Sequence, residues 1–304
     1  MGKAIKKNRK TGQTVFLFCI LIVPVIQWLI FWLYVNLDSV LLAFKDARTD
    51  EWTLNNFITF WEGLTSPYGA IGVAAKNTGR YFLNQLLITF LALCVSYFFY
   101  KKILGYKTFR VVFYLPSIIS SVAIVTAFKS FINPGGPLDL LLKLFGKQMQ
   151  PEGLLANPDT ATPTIMAYCV WAGMTTNVLL FSSAMNRVPV EVLESAILDG
   201  CGPIRELFQL ILPMIWSSIS SVLILVFTGL ISSTGPILLF TNGLYDTTTI
   251  SFWIFNMVYG DGALGGTASA YNIVSCAGFC FTAVSVPIIL GVRKLFDLIP
   301  SVEY

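Results

Sequence analysis

The sequence predicts an all-α integral membrane protein with six transmembrane helices and both termini in the cytoplasm. Three observations carry this. Hydrophobic residues fill 55% of the 304 positions and charged residues only 12%, about half the charge of an ordinary soluble domain. Mean hydropathy is +0.72, which excludes a disordered chain as well. The apolar residues also gather in runs of about 20, the length a helix needs to cross the hydrocarbon core, whereas barrel strands would be about ten residues long with alternating polarity.

The six runs cover residues 14–35, 81–100, 111–131, 164–185, 214–240 and 268–292. The first has too long an apolar core for a cleavable signal peptide, and no small-x-small site follows it. A basic tail, 1–13, precedes it. Residues 36–80 form a long polar loop dotted with Trp52, Phe57, Trp61 and Tyr68. Residues 81–292 form a five-helix core that includes a loop at 186–213, and 293–304 are a second tail. After the third run, Asn133-Pro134-Gly135-Gly136-Pro137 marks a turn, and the amphipathic stretch 138–145 is expected to lie on the membrane surface. Residues 241–267, rich in Gly and Thr, form the last external loop.

Lys and Arg set the orientation. One side holds Lys3, Lys6, Lys7, Arg9 and Lys10, then Lys101, Lys102, Lys107 and Arg110, then Arg187, Arg205, Arg293 and Lys294. The other holds only Lys45, Arg48, Lys76, Arg80, Lys143 and Lys147. Lys129, near the outer end of the third run, is expected to snorkel to the interface. The richer side is the cytoplasmic one.

Several chemistries are excluded. With no histidine, there is no His triad, His metal site or imidazole acid–base group. Cys19, Cys94, Cys169, Cys276 and Cys280 sit in apolar runs and Cys201 in a polar loop, with no C-x-x-C pair. They read as packing residues, and no metal site is expected. No carboxylate stands inside a span, which argues against a proton- or sodium-coupled carrier and against a cationic solute. A membrane-embedded enzyme is disfavoured by the lack of an acidic pair or a nucleophile arrangement. Nothing points to nucleic acid.

The loop at 186–213 carries the most information. Pro189 suits the start of a helix running to Asp199, and Gly200 can end it in a left-handed conformation. Val190, Leu193 and Ile197 form its expected apolar stripe, with Glu191, Glu194 and Leu198 pointing elsewhere. Pro203 opens a second helix, with Ile204, Leu207, Phe208 and Ile211 on one face. The acids Glu191, Glu194, Asp199 and Glu206 outnumber Arg187 and Arg205. An ordered acidic element on the positive side suits a protein partner better than anionic lipid.

The residues Glu194-Ser195-Ala196, a gap of three, Gly200, a gap of nine and Leu210-Ile211-Leu212-Pro213 resemble the E-A-A-x3-G-x9-I-x-L-P signature. That signature marks the inner-membrane permease subunits of binding-protein-dependent ABC importers. Ser195 stands in place of an alanine and Leu210 in place of the isoleucine. Val188-Pro189, Asp199-Gly200, Asn77-Thr78-Gly79, Arg110 with Tyr114-Leu115-Pro116, and Gly266 to Ala270 are similar to the carbohydrate-importer branch.

The resemblance implies a type I ABC importer permease fold in a bacterial or archaeal inner membrane. It also implies a second permease chain forming a heterodimer, an extracellular substrate-binding protein and a cytoplasmic ATPase dimer that binds ATP and Mg. The chain has no G-x-x-x-x-G-K-[ST] of its own. Glu194, Ser195, Ala196, Asp199, Gly200, Leu212 and Pro213 would form the ATPase-coupling element, by a helix seated in a groove. Glu194 would meet a basic residue, Ala196 would allow close approach and Gly200 the turn. The implied cargo is a sugar or oligosaccharide. The alternative is another small solute such as a polyamine or phosphate.

Polar residues within spans mark a cavity or a partner helix. Asn84, Gln85, Asn177, Thr228, Ser232, Ser233, Asn256 and Asn272 are such residues, and Gly229, Gly235 and Pro236 can break the fifth span. Tyr168, Trp171, Trp253, Phe255 and Tyr259 could stack on sugar rings. The expected substrate path comprises Tyr168, Trp171, Asn177, Ser232, Ser233, Trp253 and Asn256. The plainer role for each is helix–helix adhesion or an interfacial belt.

Overall fold

The computed structural model describes residues 16–66, 69–232, 235–260 and 266–299. The expected basic tail at 1–13, Tyr68 and the last residues of the C-terminal tail lie outside the described residues. Among those described, the chain is helical, and its extended pairing is one isolated antiparallel bridge between Lys45 and Trp52. The helices are α1 (Phe16–Ala43), α2 (Asn55–Thr65), α3 (Ala70–Tyr100), α4 (Tyr106–Ile118), α5 (Ser121–Ile132), α6 (Pro137–Leu144) and α7 (Pro158–Met185). They continue with α8 (Val190–Leu198), α9 (Pro203–Met214), α10 (Trp216–Thr228), α11 (Ile237–Phe240), α12 (Ile250–Tyr259) and α13 (Ala268–Asp297).

Among the described residues, α1, α3, α7 and α13 are long and apolar enough to cross a bilayer, and the total reaches six when each of two bent pairs counts as one span. The third expected span is one of these pairs. α4 ends at Ile118, Ile119 is extended (ψ 144°), and the stretch from Ser121 to Leu144 leaves at 114° to α4. Pro116 lies inside α4, where it removes one backbone hydrogen bond just before the break. The fifth expected span is the other: α9 and α10 meet at 78°, and α10 stops at Thr228, before the glycines that the sequence marks. α12 occupies part of the expected last external loop. Its ten residues are apolar but too short to be read as a span.

The chain divides into two compact units. In the first, Met1–Trp61 with Met257–Cys280, α1 buries none of its most apolar stretch. At its end, the Asn56 amide donates to the carbonyls of Ala43 and Lys45 over 3.0 and 2.8 Å, and Asn272 donates to Lys45 over 2.7 Å. These amides satisfy carbonyls that a helix end leaves without partners. Phe44 packs its ring 5.0 Å from Phe57 and 5.6 Å from Phe279.

In the second unit, Glu62–Asn256 with Phe281–Tyr304, α3 lies along α7. Ile88, Ala92 and Phe99 interlock with Val178, Phe181 and Met185 in one buried cluster. Ser96 donates across it to the Val178 carbonyl over 3.1 Å. Small residues at Ala92, Ser96 and Ala184 let the two backbones approach, the usual packing solution in lipid. Leu193, Leu207 and Ile211 of the 186–213 segment belong to the same cluster, so this segment is seated on the α3–α7 pair.

Candidate functional site: the coupling element and the cleft

Pro189 precedes α8 with extended backbone (ψ 135°) and the helix starts at Val190. Its C-terminus is closed by two reversed hydrogen bonds. Gly200 N–H donates to Ile197 C=O over 3.0 Å, and Cys201 N–H donates to Ala196 C=O over 2.9 Å. Gly200 sits between them at φ +72°. This is the Schellman arrangement, and it requires the left-handed residue that glycine provides. A Cβ at Gly200 would meet nothing within 4 Å, so the requirement is conformational rather than steric.

The buried face of α8 differs from the expected stripe. Leu193 and Ala196 are buried, whereas Val190 and Ile197 are 60% and 59% exposed and Leu198 88%. Leu193 and Ala196 are three residues apart, and the cluster below accepts only that narrow strip. Glu191, Glu194, Ile197, Leu198 and Asp199 therefore share the open surface. Ala196 makes its close approach within this chain. Ser195 folds its hydroxyl back onto the Glu191 carbonyl over 2.8 Å.

In α9, Leu207 and Ile211 are buried while Ile204 and Phe208 are exposed, so the expected four-residue stripe splits in the same way. Residues Glu206–Ile211 form a π-helical turn. Pro213 follows, without an N–H and with a ring that would strike the carbonyl four residues back, and the wider turn gives that ring room. Leu212 and Pro213 thus stand at the bend into α10.

Glu206 does not join the acidic surface. It is 2% exposed, with Lys101 Nζ 2.8 Å from Oε1 and 2.9 Å from Oε2. Tyr97 adds a hydrogen bond from its hydroxyl to the Pro203 carbonyl over 3.0 Å. The sequence signal that could have found this pair was weak, because the partners are more than 100 positions apart.

Between α3, α7 and α10 lies a cleft of about 330 Å³, lined by Tyr81, Phe82, Gln85, Thr176, Asn177 and Ser232 together with aliphatic residues and no charged side chain. Asn177 donates to the Thr89 hydroxyl over 3.3 Å. Of the expected path residues, Asn177 and Ser232 meet here. Ser233 lies outside the described residues. Tyr168 is buried in an aromatic cluster with Phe128 and Phe240, at 5.2 and 5.1 Å. Trp171 borders a separate apolar groove with Ile124 and Phe131. Trp253 is buried on α12, and Asn256 is exposed there. Tyr81, Phe82 and Thr176 were missed, although Tyr81 and Gln85 are one helical turn apart on α3.

Other polar residues hold the frame. Asn84 donates to Met166 C=O over 3.2 Å. Asn77 donates to the carbonyls of Asp246 and Thr248, and the Thr78 hydroxyl accepts from Ile250 N–H over 2.9 Å. Lys129 does not snorkel. It donates to the carbonyls of Leu239 and Phe240 at the end of α11, each over 3.2 Å, as a cation does at a helix C-terminus.

The family described as binding-protein-dependent transport system inner membrane component matches residues 88–299, a stretch that contains α8, α9 and most of the cleft. The chain belongs to this family. The multiple sugar-binding transport system permease protein MsmF of Streptococcus mutans is 23% identical over 79% of this chain and 83% of its own. Protein LplB of Bacillus subtilis is 27% identical over 97% and 94%. In structure, the permease is similar to a chain of a bacterial ABC transporter involved in the import of the acidic polysaccharide alginate. The TM-score is 0.77 at 22% identity, covering 96% of this chain and 98% of that one. That likeness shows the type I permease fold, and the permease is a multi-pass membrane protein.

Proposed function

We propose that the chain is the transmembrane subunit of an ATP-driven importer for a sugar or oligosaccharide, with α8 as the surface that a separate ATPase grips. The observation that carries this is the open face of α8. Apolar Ile197 and Leu198 and acidic Glu191 and Glu194 stand on a helix closed at Gly200 and seated on the α3–α7 core. A rigid short helix with an apolar ridge and a few charges is what a groove-type partner recognises. ATP and Mg belong to that partner, an ATPase dimer. A second permease chain completes the path, and an extracellular binding protein delivers the solute. Both termini lie in the cytoplasm, as the Lys and Arg asymmetry implies.

The cleft supports a neutral, hydroxylated cargo. Gln85, Thr176, Asn177 and Ser232 offer hydrogen bonds and Tyr81 and Phe82 offer ring faces, with no charge to neutralise. Copurification from the native membrane tests this reading. An ATPase, a second permease and a binding protein holding a sugar should be recovered together. Recovery of this chain without an ATPase would overturn it.

A further inference from the structure

The segment between α8 and α10 changes direction at both ends. Gly200-Cys201-Gly202 precedes it, and at its far end the chain turns through 78° after Pro213. Its middle is held by the packing of Leu207 and Ile211 in the α3–α7 cluster, which is non-directional, so transmission along a fixed direction needs something more. That something is the last turn of α3. Lys101 Nζ lies 2.8 and 2.9 Å from the two oxygens of Glu206, whose side chain is 3% exposed, and Tyr97 holds the Pro203 carbonyl one turn away. The docking surface makes no use of Glu206, which is buried on the opposite side of its helix from exposed Ile204 and Phe208. An ion pair with a buried carboxylate is also a poor way to gain stability, because desolvation consumes much of the attraction, while loss of Lys101 strands the Glu206 charge. What the pair supplies is a directional attachment to α3, a 31-residue helix packed along α7.

We infer that Lys101 and Glu206 are positioning residues that clamp the coupling element to α3, so that motion entering at α8 reaches the α3–α7 pair and the cleft between them. This rests on the ATPase-docking reading above. The clamp adds an ionic route through α3 to the covalent ones through α7 and α10. The cleft lies between these three helices, so its shape follows all of them.

The test uses the complete transporter in liposomes, with a fluorophore on Leu180→Cys, a residue lining the cleft, and Mg-ATP plus vanadate as the only ligands. Lys101→Met and Glu206→Gln are each expected to keep the ATPase bound and hydrolysing while the nucleotide-driven change at the reporter falls at least fivefold. The exchange Lys101→Glu with Glu206→Lys should restore it, which a residue needed only for folding would not do. A second measurement needs no ATPase. Maleimide labelling of Cys201 in the purified chain should speed up severalfold in each single variant and return to the starting rate in the exchange. Should either variant fail to insert, Tyr97→Phe, which removes the hydroxyl bonded to Pro203 and set against Glu206, is expected to show the same changes at smaller size. An undiminished reporter response and unchanged Cys201 labelling in stably folded variants would overturn the clamp while leaving docking intact. Absence of the ATPase from the wild-type preparation would instead overturn docking, and the labelling would then decide the clamp alone.

Discussion

The Cys201 amide donates to the Ala196 carbonyl across 2.9 Å, and this bond holds the end of α8 closed over Gly200. It forms only while Gly200 stays at φ +72°. In Gly200→Val, the β-branched side chain strains that conformation by about 1–2 kcal/mol and the last turn opens. Uptake should be lost while membrane insertion and the yield of folded chain persist, measured as cellular transport beside detergent-extracted protein. Gly200→Asn, which tolerates the left-handed region, should retain most uptake.

Glu194 is exposed on α8 and carries part of the acidic character of the face proposed for docking. Glu194→Lys reverses one charge at the surface where a basic partner is expected. The ATPase should separate from the permease during affinity purification, whereas Glu194→Gln should hold it more weakly than wild type but detectably. Full retention with Glu194→Lys would remove Glu194 from the interface.

Phe181 is fully buried where α7 meets α3. Phe181→Ala leaves a cavity in that packing, and a loss of about 3–5 kcal/mol is expected. The midpoint of thermal unfolding in detergent should fall clearly. A surface control such as Leu104→Ala, at a residue 95% exposed, should leave it unchanged.

Asn177 is one of the polar groups of the cleft. Asn177→Leu removes a hydrogen bond worth about 1 kcal/mol without opening space. The KM for uptake should rise about fivefold, with ATPase retention unchanged. An unaltered KM would take Asn177 out of the path.

The helix–glycine–helix form of the 186–213 segment was legible in the sequence because its requirements are local. A proline before the helix, a glycine after it and a fixed spacing to Pro213 each act within a turn or two of backbone. The long helices were legible for the same reason, since composition over about 20 residues decides them. The bend at Ile119 was not, because a proline three residues earlier permits a break without dictating one. α12 escaped notice through its ten-residue length. The narrow buried strip of α8 depended on the shape of a cluster assembled from α3, α7 and α10. Glu206 read as a surface acid for want of any local sign that Lys101 would reach it, and Lys129 as a snorkelling cation because the carbonyls it caps are 110 and 111 positions away. The cleft needed three helices placed together before Tyr81, Gln85, Thr176 and Ser232 could be seen as neighbours.

The most direct measurement is a photocrosslink from Leu198, the most exposed hydrophobic side chain on α8 at 88% exposure. A photoreactive residue there, irradiated in native membranes, should yield one dominant adduct with a nucleotide-hydrolysing subunit, and the adduct should weaken when Glu194→Lys is added. Crosslinking to lipid alone, or to no ATPase at all, would contradict the account.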